Sequence, residues 1–318
     1  MHWLSLIRWP NLLIIGLTQW VAWWCVVLPI QEPGMVLTPL HFTLLSLSTI
    51  LIAAAGYIIN DYFDIRIDAI NKPGKVILER QIPRRLAIIM HTFLNVLALI
   101  LAALVAFPAG HPEWLLLQIV CIAMLWRYST TWKREFIIGN VVVALMTSLT
   151  IISVFIYEPV MHLYLNKSSF YHLEPGTGTA QPNPVIVLGI FSFFAFLLTW
   201  MREIVKDMED YKGDDAEGCV TMPIQWGLLQ SSRFVQALGL LSIGMLLFSM
   251  ICLFLQNHQI NGSALLLLIA LILPLVLWIR MLPKAASSPH YHQASTRLKL
   301  IMVSGILSLL VLRLIQYA

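Results

Sequence analysis

The sequence predicts an all-α, polytopic membrane protein: nine transmembrane helices in one bundle with a cytoplasm-facing cavity, residues 1–318 forming a single domain. Composition and run length predict it. Of 318 residues, 59% are hydrophobic and only 11% are Asp, Glu, Lys or Arg, against roughly 25% charged in an ordinary soluble domain. Mean hydropathy is +0.81. The apolar residues come in runs near twenty long, which is what a helix rising 1.5 Å per residue needs to cross about 30 Å of hydrocarbon. A soluble enzyme is excluded, and nine spans leave only short connections.

The first span, 10–30, follows Arg8 and opens at Pro10, and it reads as a retained helix rather than a cleavable leader. The second, 40–59, ends where the chain turns acidic. Spans 84–107, 113–130 and 136–157 follow, then a connection from Glu158 to Asn183 whose Pro159, Pro175 and Pro182, with Pro184, Gly176 and Gly178, predict irregular structure. The sixth span, 184–201, leads into a second acidic stretch, and 234–256, 262–282 and 298–317 complete the nine. Trp3, Trp9, Trp114, Trp132 and Trp278 fall near span ends, where indole rings anchor at the interface.

Lys and Arg set the orientation, because positive loops stay cytoplasmic. Of the 20, 18 fall on the side of the amino terminus and of the loops after even-numbered spans, leaving Lys167 and Arg313 opposite. The amino terminus is therefore expected in the cytoplasm of a bacterial or archaeal cell. The net charge of +4 comes from residues flanking apolar runs, not from a basic soluble face, which argues against nucleic acid. Cys25, Cys121, Cys219 and Cys252 include no C-x-x-C pair and imply neither a disulfide framework nor a metal site. Asn166-Lys167-Ser168 and Asn261-Gly262-Ser263 match the glycosylation sequon, and His290 and His292 read as a surface loop pair.

All seven aspartates occupy two windows on the cytoplasmic side: Asp61, Asp64 and Asp68, then Asp207, Asp210, Asp214 and Asp215. The spacing i, i+3, i+7 occurs in both. At about 100° per residue these offsets lie within roughly 60° of one another, so each window makes one acidic stripe if its helix continues past the membrane. Asn60 edges the first stripe and Glu203 extends the second. Two such stripes meeting at the mouth of a bundle would repel unless a cation lay between them. Oxygen donors without His or Cys favour Mg²⁺, which takes one or two carboxylates and completes its shell with water and phosphate. Arg66, Lys133, Arg202 and Lys206 lie nearby and suit an anionic group such as diphosphate.

These residues resemble the UbiA superfamily of intramembrane prenyltransferases. Asn60-Asp61-Tyr62-Phe63-Asp64-Ile65-Arg66-Ile67-Asp68 is similar to its N-D-x-x-D-x-x-x-D motif, followed by Asn71-Lys72-Pro73, and Arg202 through Asp214 is similar to its downstream acidic motif, with Thr221, Pro223, Ile224 and Gly227. The resemblance implies Mg²⁺-dependent transfer of a prenyl chain from an allylic prenyl diphosphate to a lipophilic acceptor. It implies one metal on Asn60, Asp61, Asp64 and Asp68 and another on Asp207, Asp210 and Asp214, with Asp64, Asp68, Asp207 and Asp210 central to catalysis. Tyr128 and Lys133 look like the family's diphosphate contacts, and Arg8 and Asn11 like its amino-terminal Arg and Asn. Tyr62, Phe63, Trp126 or Trp200 could shelter an allylic cation.

With Gly139-Asn140, the second motif looks most like the digeranylgeranylglyceryl phosphate synthases, which prenylate glycerol phosphate lipids, the donor then being geranylgeranyl diphosphate. Many members continue Asn-Lys-Pro with Arg-Pro, whereas this chain reads Lys75-Val76-Ile77-Leu78, so quinone-precursor and haem prenyl transfer stay open. An ion-coupled transporter is the competing class, but the span interiors hold almost no ionisable residues. A phosphotransferase of the CDP-alcohol type lacks its D-G-x-x-A-R signature here.

Overall fold

A computed structural model describes residues 2–30, 32–71, 74, 77–166, 171–173, 180–257, 266, 268–282 and 287–317. The chain divides into two compact units, Met1–Thr131 with Met146–Phe193, and Trp132–Leu145 with Phe194–Ala318.

The first unit begins with α1 (His2–Leu6) and α2 (Trp9–Ala22), the latter continuing through a π turn, Trp23–Val27, and a 3₁₀ turn, Leu28–Ile30. Pro10 sits in the first turn of α2, where its missing N–H costs nothing. Next come α3 (Pro39–Asn71), α4 (Arg84–Ala106) and α5 (Leu115–Thr130). At 33 residues α3 is about 50 Å long, so its polar end outruns the hydrocarbon and carries the first acidic window on unbroken helix. Buried Ala54, Ala55, Ala87, Ala98 and Ala102 occupy α3 and α4, small side chains of the kind that let backbones approach in lipid. The two helices are also tied by Ser48 Oγ donating to the Ala98 carbonyl at 2.8 Å and by His91 Nδ1 against the Ala55 carbonyl at 2.9 Å.

A polar knot lies within the same unit. The Gln19 amide donates to Thr49 Oγ1 (3.0 Å), the Thr150 carbonyl (3.1 Å) and Ser153 Oγ (2.9 Å). Fully buried Glu158 accepts the Val36 and Leu37 N–H groups at 3.2 and 2.9 Å, closing the turn between α2 and α3. In the connection expected to be irregular, the described residues form a 3₁₀ segment, Pro159–Tyr164, and strands β1 (Tyr171–Leu173) and β2 (Ala180–Pro182), antiparallel with Tyr171 opposite Pro182, while Pro175, Gly176 and Gly178 lie outside the described residues. Proline and glycine punctuation marks turns but does not report which backbone groups pair across them. Lys167-Ser168 of the first sequon, the second sequon, and Lys72, Pro73, Lys75 and Val76 fall outside the described residues.

Helices α6 (Ile138–Ile156) and α7 (Pro184–Ala216) contribute to both units. The second unit adds α8 (Met222–Asn257), a π turn at Leu268–Ile272 that leads into α9 (Leu273–Met281), and α10 (Ser288–Tyr317). Its core joins Met201, Ile204, Val205 and Met208 of α7 to Val235 of α8, Leu275 and Trp278 of α9, and Ala294 and Leu298 of α10. Trp278 Nε1 donates to the Ala294 carbonyl at 2.7 Å. Two helices start earlier than their apolar runs: α8 at Met222 rather than 234, with a break at Gly227 (φ 79°), and α10 at Ser288 rather than 298. His290 and His292 are consequently helical, not a loop pair, and His292 Nδ1 lies 2.9 Å from Glu209 Oε1.

Seven helical segments among the described residues are long and apolar enough to cross a membrane, matching seven of the expected spans. The stretches expected to supply the other two hold the shorter α5 and Leu268–Met281.

Candidate active-site clusters

The first cluster is built on the polar end of α3. Leu6, Ile58, Leu78, Ile82 and Ala87 form a small buried core against which Ile7, Tyr62 and Ile65 pack. That core fixes α1 beside α3 and brings Arg8 to the acidic stripe: Arg8 Nη2 donates to Asp61 Oδ1 at 2.7 Å, and its guanidinium lies 5.1 Å from the Tyr57 ring centroid. Burial works against the Arg8 charge, but Asp61, Tyr57 and Asp68 together more than offset it and hold the guanidinium more firmly protonated than usual. Asn60 Nδ2 donates to Asp64 Oδ2 at 2.7 Å, one helical turn on. The Asn60 side-chain oxygen, Oδ1, is buried and accepts no hydrogen bond from the described residues. Asp61, Asp64 and Asp68 are partly buried, Arg66 is exposed, and Asn11 and Tyr128 are partly buried in the same unit.

The second cluster lies in the other unit, on the polar half of α7. Asn140 Nδ2, at the start of α6, donates to Asp207 Oδ2 at 2.8 Å. Gly139 permits this: a Cβ there would stand 2.7 Å from the Lys133 Cα and 2.8 Å from the Trp132 carbonyl oxygen, so only glycine lets α6 start against the Trp132–Arg134 turn. That turn is held to the segment before α8 by the Val220 N–H donating to the Arg134 carbonyl at 2.7 Å, and just beyond it the Phe136 ring meets Trp226 of α8 edge-on at 5.0 Å. Asp214 is buried, and its carbonyl accepts the Cys219 N–H at 2.9 Å. Burial pushes the Cys219 thiol up, and Asp214 pushes it further, against the opposing charges of Arg134 and Lys133. Glu203, only 6% exposed, accepts from Arg202 at 2.9 Å and from Lys206 at 2.8 Å. It thus acts as a counter-ion that fixes two cations on the same helix. Asp207 and Asp210 are partly buried.

The aromatics divide likewise. Phe63 meets Tyr62 and Trp126 edge-on at 5.2 and 6.1 Å, while the Arg84 guanidinium covers Tyr62 at 5.8 Å. Trp126 is 42% exposed, the placement of an interfacial anchor. Trp200, in the second unit, packs with Phe196 and Phe234 at 5.8 and 5.6 Å.

Among the described residues, no three His, Cys, Asp or Glu side chains converge closely enough to hold a metal by themselves. Carboxylate and amide oxygens are hard donors, which suit Mg²⁺ with one or two carboxylates and the rest of its shell from water and phosphate. The buried, unengaged Asn60 oxygen beside Asp64 is a further hard donor. The residues therefore fit Mg²⁺. Sequence spacing located both stripes but missed the Arg8–Asp61 pair, the Asn140–Asp207 bond and the role of Glu203, all of which join residues by a contact that hydropathy does not encode.

Long apolar helices that carry two acidic stripes of the same spacing define a class, and the sequence profile of the UbiA prenyltransferase family matches residues 9–296. The chain belongs to that family and is an integral membrane protein. Among its relatives, the digeranylgeranylglyceryl phosphate synthase of Methanothermobacter thermautotrophicus is 31% identical over 204 residues, 64% of this chain and 62% of the relative. That of Haloquadratum walsbyi is 32% identical over 210 residues, 66% and 64%. The match thus spans about three-fifths of these relatives' length. A solved structure of a digeranylgeranylglyceryl phosphate synthase shares the fold with a TM-score of 0.63 at 24% identity, covering 98% of this chain and 96% of that one. A UbiA homologue from Archaeoglobus fulgidus, bound to DMAPP and Mg²⁺, does so at 0.58 and 14% identity, covering 98% and 100%.

Proposed function

We propose that the protein transfers a prenyl group from an allylic prenyl diphosphate to a lipophilic acceptor, using Mg²⁺. One observation carries this reading above the others. Each acidic stripe lies on unbroken helix and contains an aspartate held by a partly or fully buried asparagine amide, Asn60 to Asp64 and Asn140 to Asp207. Charges so fixed are costly without a cation, and duplicated oxygen-only clusters suit a bound metal diphosphate better than a solvated loop. Asn60, Asp61, Asp64 and Asp68 would supply oxygen donors to one Mg²⁺, directly or through its waters, and Asp207, Asp210 and Asp214 to the other. The metal supplies charge stabilisation to the departing diphosphate.

The chain's own residues complete the chemistry. As the allylic carbon–oxygen bond breaks, its electron pair leaves with diphosphate, and Lys133, Arg202 and Lys206 with Tyr128 meet the developing charge. Arg202 and Lys206 are already fixed by Glu203 and need little reorganisation. Arg8 is likewise held by Asp61. The allylic carbon bonds to a nucleophilic atom of the acceptor, whose proton passes to the released diphosphate, and the membrane keeps out water that would intercept the cation.

Geranylgeranyl diphosphate and a prenylglyceryl phosphate acceptor are the favoured pair, supported by the synthase relatives at 30 to 32% identity. The Lys75–Leu78 departure keeps a quinone precursor or haem as the second reading. Nine crossings, with α5 and Leu268–Met281 as the shorter ones, and a cytoplasmic amino terminus and active site, are supported by 18 of 20 basic residues falling on that side. A family match through both units supports one domain. The test is incubation of purified protein with radiolabelled geranylgeranyl diphosphate and a panel of acceptors. Asp64→Ala and Asp210→Ala are expected to abolish transfer while the folded protein stays in the membrane, and excess chelator to do the same to the parent. Normal turnover in either variant, or full activity in chelator, refutes the proposal, and ion flux in proteoliposomes without any transfer would favour transport.

A further inference from the structure

Of the buried side-chain donors in the second unit that have no hydrogen-bond partner among the described residues, two lie on adjoining segments. Thr221 is 2% exposed, and its carbonyl starts α8 by accepting the Ile224 and Gln225 N–H groups at 3.1 Å each. Its hydroxyl nonetheless has no hydrogen-bond partner among the described residues, and neither has the buried Arg134 Nε. Buried donors are almost always satisfied, so two orphans on adjoining segments call for an acceptor. They do adjoin: the residue before Thr221 donates its N–H to the Arg134 carbonyl at 2.7 Å, and Phe136 and Trp226 meet edge-on across the same seam. The surroundings indicate the acceptor's chemistry. Cys219, two residues before Thr221, lies within electrostatic reach of Asp214, Arg134, Lys133 and Asp207, so the orphans share a neighbourhood with two proposed metal-binding carboxylates and a second cation.

The geometry points to Thr221 and Arg134 as further substrate-contacting residues, a hydroxyl and a guanidinium N–H that together bind phosphate oxygens of the diphosphate on the α7 side. A phosphate is the acceptor that suits such donors beside a metal: it takes hydrogen bonds from Arg and Thr through some oxygens while others complete a Mg²⁺ shell. Neither residue is needed to build the acidic stripe, since Asp207 is oriented by Asn140. The inference rests on the diphosphate-dependent reading above.

The test uses the purified full chain in lipid nanodiscs, with inorganic pyrophosphate and Mg²⁺ as the probe and calorimetry as the readout. Thr221→Val keeps the volume and removes the hydroxyl, and Arg134→Gln removes the charge. Each should weaken pyrophosphate binding about tenfold, and should raise KM for the prenyl diphosphate more than it lowers kcat, without moving the melting temperature. Thr221→Ser restores the hydroxyl and should recover affinity. If Thr221→Val and Arg134→Gln bind as the parent does while Asp210→Ala does not, this inference is wrong and the functional reading stands. If Thr221→Ser is as weak as Thr221→Val, the hydroxyl is not the contact and the inference is also wrong. If Asp210→Ala binds pyrophosphate normally, the functional reading itself fails and this inference with it.

Discussion

Asn140→Ala isolates the contribution of one outer contact to the α7 cluster. The amide lies 2.8 Å from Asp207 Oδ2, and the Asn140 side chain is 6% exposed. Removing it deletes a hydrogen bond to a carboxylate, worth about 1.5–3 kcal/mol, and frees Asp207 to rotate away from any metal it holds. Losing a partner of this kind typically costs about 10- to 100-fold in metal affinity or activity. The expected result is a Mg²⁺ half-saturation for prenyl transfer raised by that factor, with a smaller fall in rate at saturating metal. The assay is a Mg²⁺ titration at fixed prenyl diphosphate, with the melting temperature in nanodiscs as a folding control. An unchanged titration in a well-folded variant would show that Asn140 does not position a metal ligand.

Gly139→Ala puts a methyl 2.7 Å from the Lys133 Cα, a backbone atom that cannot step aside; overpacking of this kind costs ~1–3 kcal/mol, so a lower melting temperature and loss of transfer are expected, and parental values for both would refute the close-approach argument. Gln19→Leu removes three buried hydrogen bonds, and with intramembrane bonds averaging about 0.6 kcal/mol each it should lower stability in detergent by ~1–2 kcal/mol, measured by unfolding in a denaturing detergent. Burial and then Asp214 raise the Cys219 thiol, so less thiolate is present at any pH below that raised value. Maleimide labelling at pH 8, followed by peptide mass spectrometry, should be slower than for a free cysteine, should rise as pH climbs through the raised value, and should speed up in Asp214→Asn. Labelling as fast as a free thiol would count against the assigned environment.

Much of this architecture is readable from residue order. The spacing of Asp61, Asp64 and Asp68, and of Asp207, Asp210 and Asp214, says that each helix continues beyond the apolar run, and α3 and α7 do so. Apolar runs mark where hydrocarbon is crossed, because desolvation is a property of composition. They do not mark where helices begin, because polar residues extend a helix freely in water; α8 and α10 therefore start before their apolar segments. Least legible were pairings between distant residues. Arg8 and Asp61 are 53 positions apart and Asn140 and Asp207 are 67 apart, and only the packing of α1 on α3, or of the Trp132–Arg134 turn beside α6, decides that they meet. Glu203 shared the helical spacing of the stripe, yet its neighbours Arg202 and Lys206 claim it, because adjacent and i+3 partners on one helix are within reach whatever lies beyond.

Arg8 has one further property. Its backbone is left-handed, with φ 52° and ψ 51°, a conformation that costs a side-chain-bearing residue roughly 1–2 kcal/mol and glycine almost nothing. Glycine would make the bend from α1 into α2 more comfortably but would remove the guanidinium that pairs with Asp61. The amino-terminal bend is therefore a spring loaded against a charge, and neutralising Asp61 should let the first turn of the protein relax even though no residue in that turn has been altered.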